Sequence, residues 1–309
     1  MQNPNRLDSL WLVWPIGTVI FSVAHRELST GYANWKELEN PAHSLVYALP
    51  IAGFALLLIS EMVTWLFSCL GPRRAFAPLR HPVMCVHMIS LTYYWCEPTV
   101  QDLPLDAFGR PLHPLRYIMW TISVSSMCFS LYLVTTNVLQ PKEQRTAQEL
   151  RSMLIDSLIG CYLTFVLGFL GSFVKVRDMP ARLTPPPCAR VFCGRDLTAC
   201  DWLAQIDGNV TPNVLLFCLS SLGFYLMLLR LTSMLRKVYR DERVIRRGMA
   251  AQFQAISFAV TFVWHIFPVI WLLGAFNLIS IFEEHIGYIL CDLCAKYLLL
   301  FVYTNHVNA

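Results

Sequence analysis

The stretch GYILCDLCAKYLLLFVY, residues 287–303, is dominated by Leu, Ile, Tyr and Phe, yet it carries Asp292 and Lys296 near its middle. A charge at mid-depth in a bilayer costs at least ~2.5–3.5 kcal/mol and has to face a bundle interior. Four positions apart on a helix, the two side chains share one face about one turn from each other. Two readings are open. The pair is either a structural tie between this helix and its neighbours, or a reactive lysine beside its charge partner. A buried lysine loses its charge readily and can condense with an aldehyde to a Schiff base. That nitrogen then needs a carboxylate if it is to stay protonated.

The composition puts this helix in a membrane. Of 309 residues, 56% are hydrophobic and only 14% charged, and the mean hydropathy is +0.49. Soluble domains of this size rarely read that way. The net charge of +4 carries no sign of nucleic acid binding. Phosphate-cradling, HExxH and paired CxxC motifs are all missing, so nucleotide and zinc-site signatures have no support.

Apolar stretches of spanning or near-spanning length fall at 10–25, 43–70, 81–96, 114–139, 152–174, 213–235, 250–276 and 283–303. The first is short, contains Pro15 and ends in small residues, so it reads as a signal sequence or as an extra leading helix. The chain is therefore divided into an N-terminal segment 1–42, a seven-helix domain 43–305 and a short tail 306–309. Arginines and lysines concentrate in the segments 71–80, 140–151 and 236–249, whereas 97–113 holds only Arg110 and Arg80 counts with the first group. The positive-inside rule then places the N-terminal side of the bundle outside the cell and the C-terminus in the cytoplasm, for a protein of the plasma membrane. The long loop 175–212 holds Cys188, Cys193, Cys200 and the sequon Asn209-Val210-Thr211, which suit an oxidising exterior.

Two further stretches bear on Asp292 and Lys296. The sixth span contains VWHIFPVIWLLG, in which Trp264, Pro268 and Trp271 line one face and Pro268 interrupts the helix. Two tryptophans flanking that interruption make a flat-walled slot for a long conjugated apolar ligand. The third span opens LRYIMWTISVSSM, placing Arg116 one turn from Trp120.

R-Y-x-x-W, then W-x-x-[YF]-P-x-x-W-x-x-G, then D-x-x-x-K stand in order in the third, sixth and seventh spans, and together they resemble the microbial (type I) rhodopsins. The resemblance covers roughly residues 43–305. It implies an all-α bundle of seven membrane helices around all-trans retinal, held as a Schiff base on Lys296 with Asp292 as counterion. It implies a pocket of Trp120, Trp264, Trp271, Pro268, Phe267, Met119 and Ser123, with Phe217, Ser220, Ser221 and Phe224 of the fifth span at the ring end. Arg116 would shape an outer polar cluster. Retinal, the lipid bilayer and inorganic ions are the partners implied, and homo-oligomerisation is left open.

Departures from the family pattern narrow the function. The position three after Arg116, where proton pumps carry an acceptor carboxylate, is Met119; the donor position fourteen after it is Ser130. A thioether takes no proton and a serine hydroxyl is a poor donor at neutral pH, so outward proton pumping is not expected. The resemblance extends to channelrhodopsins through CEPTVQDLPLDAFGRPLHPLRY at 96–117 and through Phe267-Pro268. A light-gated channel is expected, with chloride favoured over cations because the second span has no acid before Glu97. Asp156 matches a gate-controlling aspartate, although its third-span partner position is Val124, which makes no hydrogen bond. His87 reads as a titratable gate or a packing residue, and Glu61 as an intramembrane acid with a partner or a boundary residue. The alternative is a photosensor signalling through a partner or a fused enzyme domain absent from this chain. No enzymatic activity of its own is expected.

Overall fold

The computed structural model describes residues 41–70, 80–97, 113–140, 144–173, 211–246, 248–275 and 278–306. Residues 1–40, 174–210 and 307–309, which hold nearly all of the leading segment, the cysteine-bearing loop with most of its sequon, and all but the first residue of the tail, lie outside these residues. Among the described residues there are eight helices: α1 (Pro41–Leu70), α2 (His81–Cys96), α3 (Pro114–Leu139), α4 (Gln144–Phe173), α5 (Thr211–Arg240), α6 (Glu242–Arg246), α7 (Ala250–Ala275) and α8 (Ile281–His306). Apart from the single turn α6, they correspond to the seven expected spans. Each packs on the next in the order α1, α2, α3, α4, α5, α7, α8, and α8 returns to α1, closing a ring.

Five of them are long and apolar enough to cross a membrane. The other two are the 16-residue α2 and the charge-bearing α8. The outer faces are apolar: Leu56, Phe67, Leu170, Leu222 and Phe258 are all exposed. A helical bundle with that surface is an integral membrane protein.

Local chemistry sets the helix ends. Pro82 and Pro114 stand in the first turns of α2 and α3, where a missing N–H costs nothing. Ser280 and Glu283 form a reciprocal cap on α8. The Ser280 hydroxyl accepts from the Glu283 amide at 3.2 Å, and the Glu283 carboxylate accepts from the Ser280 amide at 2.7 Å. Between α5 and α6, Asp241 caps the Arg243 amide at 2.9 Å. The Arg243 side chain hydrogen-bonds the same carboxyl and holds it below the usual carboxylate range.

Two boundaries differ from expectation. α4 begins at Gln144, eight positions ahead of its apolar stretch, because QRTAQELR is made mostly of good helix formers that are too polar for a hydropathy reading. α5 runs on to Arg240 for a similar reason, so Arg236, Lys237 and Arg240 stand on a helix end and not in a loop.

Helices α4 and α5 meet backbone to backbone. A Cβ on Gly160 would lie 2.6 Å from the Gly223 carbonyl and 2.8 Å from the Met227 amide. Neither backbone can yield locally, so small residues at this crossing are required. Gly160→Val is expected to cost about 1–3 kcal/mol by overpacking, read as a lower unfolding temperature in detergent. Gly168→Ala, whose added methyl would meet only the Ser220 hydroxyl at 3.3 Å and the Tyr117 ring, is the milder control.

The shortness of α2 determines where charges sit. Sixteen residues span about 24 Å, less than the ~30 Å hydrocarbon core. Its flanking Arg80 and Glu97 are therefore drawn in and buried. Arg80, grouped by sequence with the cytoplasmic loop charges, is 0% exposed and pairs at 3.1 Å with Glu61, itself 0% exposed. Glu61 therefore has a buried partner in Arg80. A buried charge without that partner would cost several kcal/mol.

Candidate functional site

Lys296 of α8 is buried at mid-bundle, 1% exposed. Its Nζ lies 3.1 Å from Asp292 Oδ1 and 3.3 Å from Met119 Sδ of α3. The Phe54 ring of α1 stands 5.1 Å away on another side. Asp292 is fixed from two further helices. Tyr94 of α2 donates to Oδ2 at 2.7 Å, and the Trp120 indole N–H reaches Oδ1 and Oδ2 at 3.1 and 3.2 Å. Two neutral donors and one ammonium leave the carboxylate fully engaged. Ser123 donates to Met119 Sδ at 3.5 Å and Ser90 approaches it at 4.0 Å. The sulfur is a weak acceptor at the centre of a polar cluster.

A second cluster lies at the Glu97 end. Glu97 accepts from Arg116 Nη2 at 3.0 Å and from the Tyr93 hydroxyl, and it pairs with His113 Nδ1 at 3.0 Å. Arg116 also donates from Nε to Tyr93 at 3.1 Å and lies 2.7 Å from His285 Nδ1. The Arg116 guanidinium stands over the rings of Tyr288 and Trp120, at 4.9 and 5.9 Å. Trp120 therefore touches both clusters.

Aromatic rings wall the space between α3 and α7. Phe267 meets Trp120 edge-on at 5.5 Å, and Trp271 stacks on Phe217 at 4.6 Å. Trp264 is buried in the core cluster that also holds Met127, Leu131 and Leu231. Pro268 lies inside α7.

Other positions singled out in the sequence are placed differently. Ser220 donates to the Thr164 carbonyl of α4 at 2.7 Å, so its hydroxyl is engaged between helices. Phe224 packs edge-on against His265 at 5.7 Å. Asp156 pairs at 2.9 Å with Arg230 of α5 and not with a residue of α3. A carboxylate facing the helix beside it takes the nearest cation, and Val124 offers it nothing. His87 is 0% exposed, and neither ring nitrogen has a hydrogen-bond partner among the described residues.

Tyr94, Tyr93, His113 and His285 were missed by sequence reading. Tyr94 and Tyr93 stand in LTYYWCEP, where adjacent tyrosines one turn before an acid are a signal for buried carboxylate donors. His113 and His285 lie far apart in sequence and gain meaning only once α3 and α8 start side by side.

The helices thus form a closed ring with a lysine–carboxylate pair at its centre. The family model for Bacteriorhodopsin-like protein matches residues 198–308. Among solved structures, the transmembrane domain of Salpingoeca rosetta rhodopsin phosphodiesterase is similar at TM-score 0.67 and 13% identity, covering 96% of this chain and 98% of that one. Thermophilic rhodopsin from Rubrobacter xylanophilus is similar at TM-score 0.59 and 16% identity, covering 85% and 95%. The light-driven proton pump Coccomyxa subellipsoidea rhodopsin is similar at 0.56 and 13%, covering 84% and 93%. No curated protein matches by sequence. The family-model match covers about the last third of the chain, and the likeness to solved rhodopsin structures extends over nearly all of it at the level of fold.

Proposed function

We propose that this protein is a retinal-binding photoreceptor with Lys296 as the attachment residue and Asp292 as its charge partner. The observation that carries the reading is the 3.1 Å Lys296–Asp292 pair, 1% and 3% exposed, at the centre of the bundle. The residues fit the chromophore: a buried primary amine, one oriented carboxylate and aromatic rings from α3, α5 and α7. Bound retinal would supply visible absorption and a change of shape on illumination.

The protein's own groups govern the proton. Asp292 holds it on Lys296 Nζ, and Tyr94 and Trp120 keep that carboxylate in place. Met119 stands where a second carboxylate would accept the proton, and its sulfur does not. Ser130 offers no acidic proton for return. Outward proton pumping therefore has neither relay group.

Output by shape change to a partner or a fused domain is the function best supported. Both ends of the bundle are tied by buried ion pairs, Glu61–Arg80 and Glu97–Arg116. Between Lys296 and the Arg80 end the core is packed with Val83, Met127, Leu131, Val134 and Leu231. Beside it the polar groups are few, the buried His87, Ser90, Ser130 and Thr135 of α2 and α3, which is a thin lining for a permeating ion. At the level of fold, the likeness to a phosphodiesterase-linked rhodopsin domain over nearly the whole of both chains points the same way.

Light-gated conduction, with chloride favoured, is the second reading. It is favoured by His87, a buried imidazole whose unpaired nitrogens would bind water if the α2–α3 seam opened. Voltage clamp of retinal-supplied cells separates the two. Sensory output expects no photocurrent at an expression level that gives clear visible absorbance. Currents reversing at the chloride potential would establish the channel instead, and reversal at the sodium, potassium or proton potential would reject its anion selectivity.

A further inference from the structure

Three donors from three separate elements converge at the Glu97 end: Glu97 after α2, His113 before α3 and His285 in the first turns of α8. One ligand atom from each lies within 4.8 Å of the other two. We propose that these residues form a binding site for a divalent transition-metal cation, Zn²⁺ by the chemistry of the donors.

Two imidazole nitrogens and one carboxylate oxygen are a common three-protein-ligand set for zinc, with water completing the tetrahedron. Zinc–ligand bonds of ~2.0–2.2 Å put tetrahedral donors roughly 3.3 Å apart. His113 Nδ1 is already 3.0 Å from Glu97 Oε1, and His285 Nε2 is 3.9 Å from Oε2. The remaining contraction, about 1.5 Å at most, is within reach of side-chain rotation.

Glu97 Oε2 supplies an independent reason for a ligand. Its side chain is 3% exposed, and this oxygen accepts no hydrogen bond among the described residues. A buried carboxylate oxygen left unpaired is costly, and a cation there removes the cost. The two imidazole side chains are 14% and 11% exposed, so the site is mostly but not wholly enclosed.

Arg116 makes the site switchable. Its Nη2, 2.7 Å from His285 Nδ1, is a donor, so Nδ1 accepts and the proton of the neutral ring sits on Nε2. A metal on Nε2 needs the other tautomer: the proton leaves Nε2, Nδ1 takes one up, and two N–H groups then face each other. Arg116 must release His285 on metal binding. Because Arg116 also covers Tyr288 and Trp120, and Trp120 bonds Asp292, the metal would be felt at the Lys296 cluster.

The test is Zn²⁺ titration of the purified, tag-free protein against a fluorescent zinc indicator at neutral pH, with bound zinc counted by elemental analysis. One equivalent per chain is expected. His113→Ala and His285→Ala should each weaken binding at least tenfold while eluting as folded protein. Excess Mg²⁺ should not compete, since it prefers an all-oxygen shell. Binding should weaken toward pH 5 as the imidazoles take protons. The readout is metal content, so it stands whether or not Lys296 carries a chromophore. Absence of stoichiometric zinc, or wild-type affinity in both folded histidine variants, would overturn the site.

Discussion

Lys296→Ala is expected to remove all visible absorbance from retinal-supplied protein while leaving membrane insertion intact. Among the described residues no other lysine lies inside the bundle, and Lys296 is the buried amine that Asp292 faces. Loss of the side chain deletes the attachment atom outright, so the effect should be complete. The fold should survive, because Asp292 keeps its bonds from Tyr94 and Trp120 when Nζ is gone. Asp292 is left buried without its cation, a cost that the two remaining donors reduce, and Phe54 and Met119 border the gap. Absorbance is read beside surface expression and gel filtration. A visible band of unchanged height and position in the folded variant would end the retinal reading for this lysine.

The spans were legible because lipid demands long apolar helices: seven stretches of spanning or near-spanning length coincide with the helices observed, five of them long and apolar enough to cross, with the largest offset eight residues at α4. What hydropathy could not see were the polar extensions. QRTAQELR is helical by propensity and by packing of α4 on α5, and neither leaves a trace in an apolar window. Arg80 was hidden for a different reason. Its sequence neighbours Arg73 and Arg74 suggest a solvated loop, but the short α2 pulls Arg80 inward to Glu61, and only three-dimensional length reveals that.

The site divides in the same way. Asp292 and Lys296 could be read as a pair because both lie on one helix, one turn apart. Tyr94 and Trp120, which hold Asp292, come from α2 and α3 at separations that no local pattern encodes. The Asp156 partner was hidden because the sequence offers no reason to pair it with Arg230, which lies on the neighbouring helix after a long loop. The Glu97–His113–His285 convergence is the extreme case, since it joins the ends of three helices and exists only in the assembled bundle.

Asp292→Asn is expected to move the pigment from visible to near-ultraviolet absorption at neutral pH. In the wild-type arrangement, Lys296 Nζ has one anionic neighbour within 3.1 Å, and Met119 supplies none. Glu97 is no substitute, because Arg116, His113 and Tyr93 already engage it. A close opposite charge is worth about 1–3 pH units in protonation, at about 1.4 kcal/mol per unit. Removing it in a water-poor interior should bring the colour titration down by about that amount, so that Nζ holds its proton only in acid. The isosteric amide keeps the Tyr94 and Trp120 contacts in reach, which separates loss of charge from loss of shape. High chloride should restore part of the visible band by placing an anion beside Nζ. A variant that keeps its visible band and its wild-type titration would show that another acid is the charge partner. Glu97 would be the first to replace, and Arg116 would then have to swing away from it when the chromophore is bound.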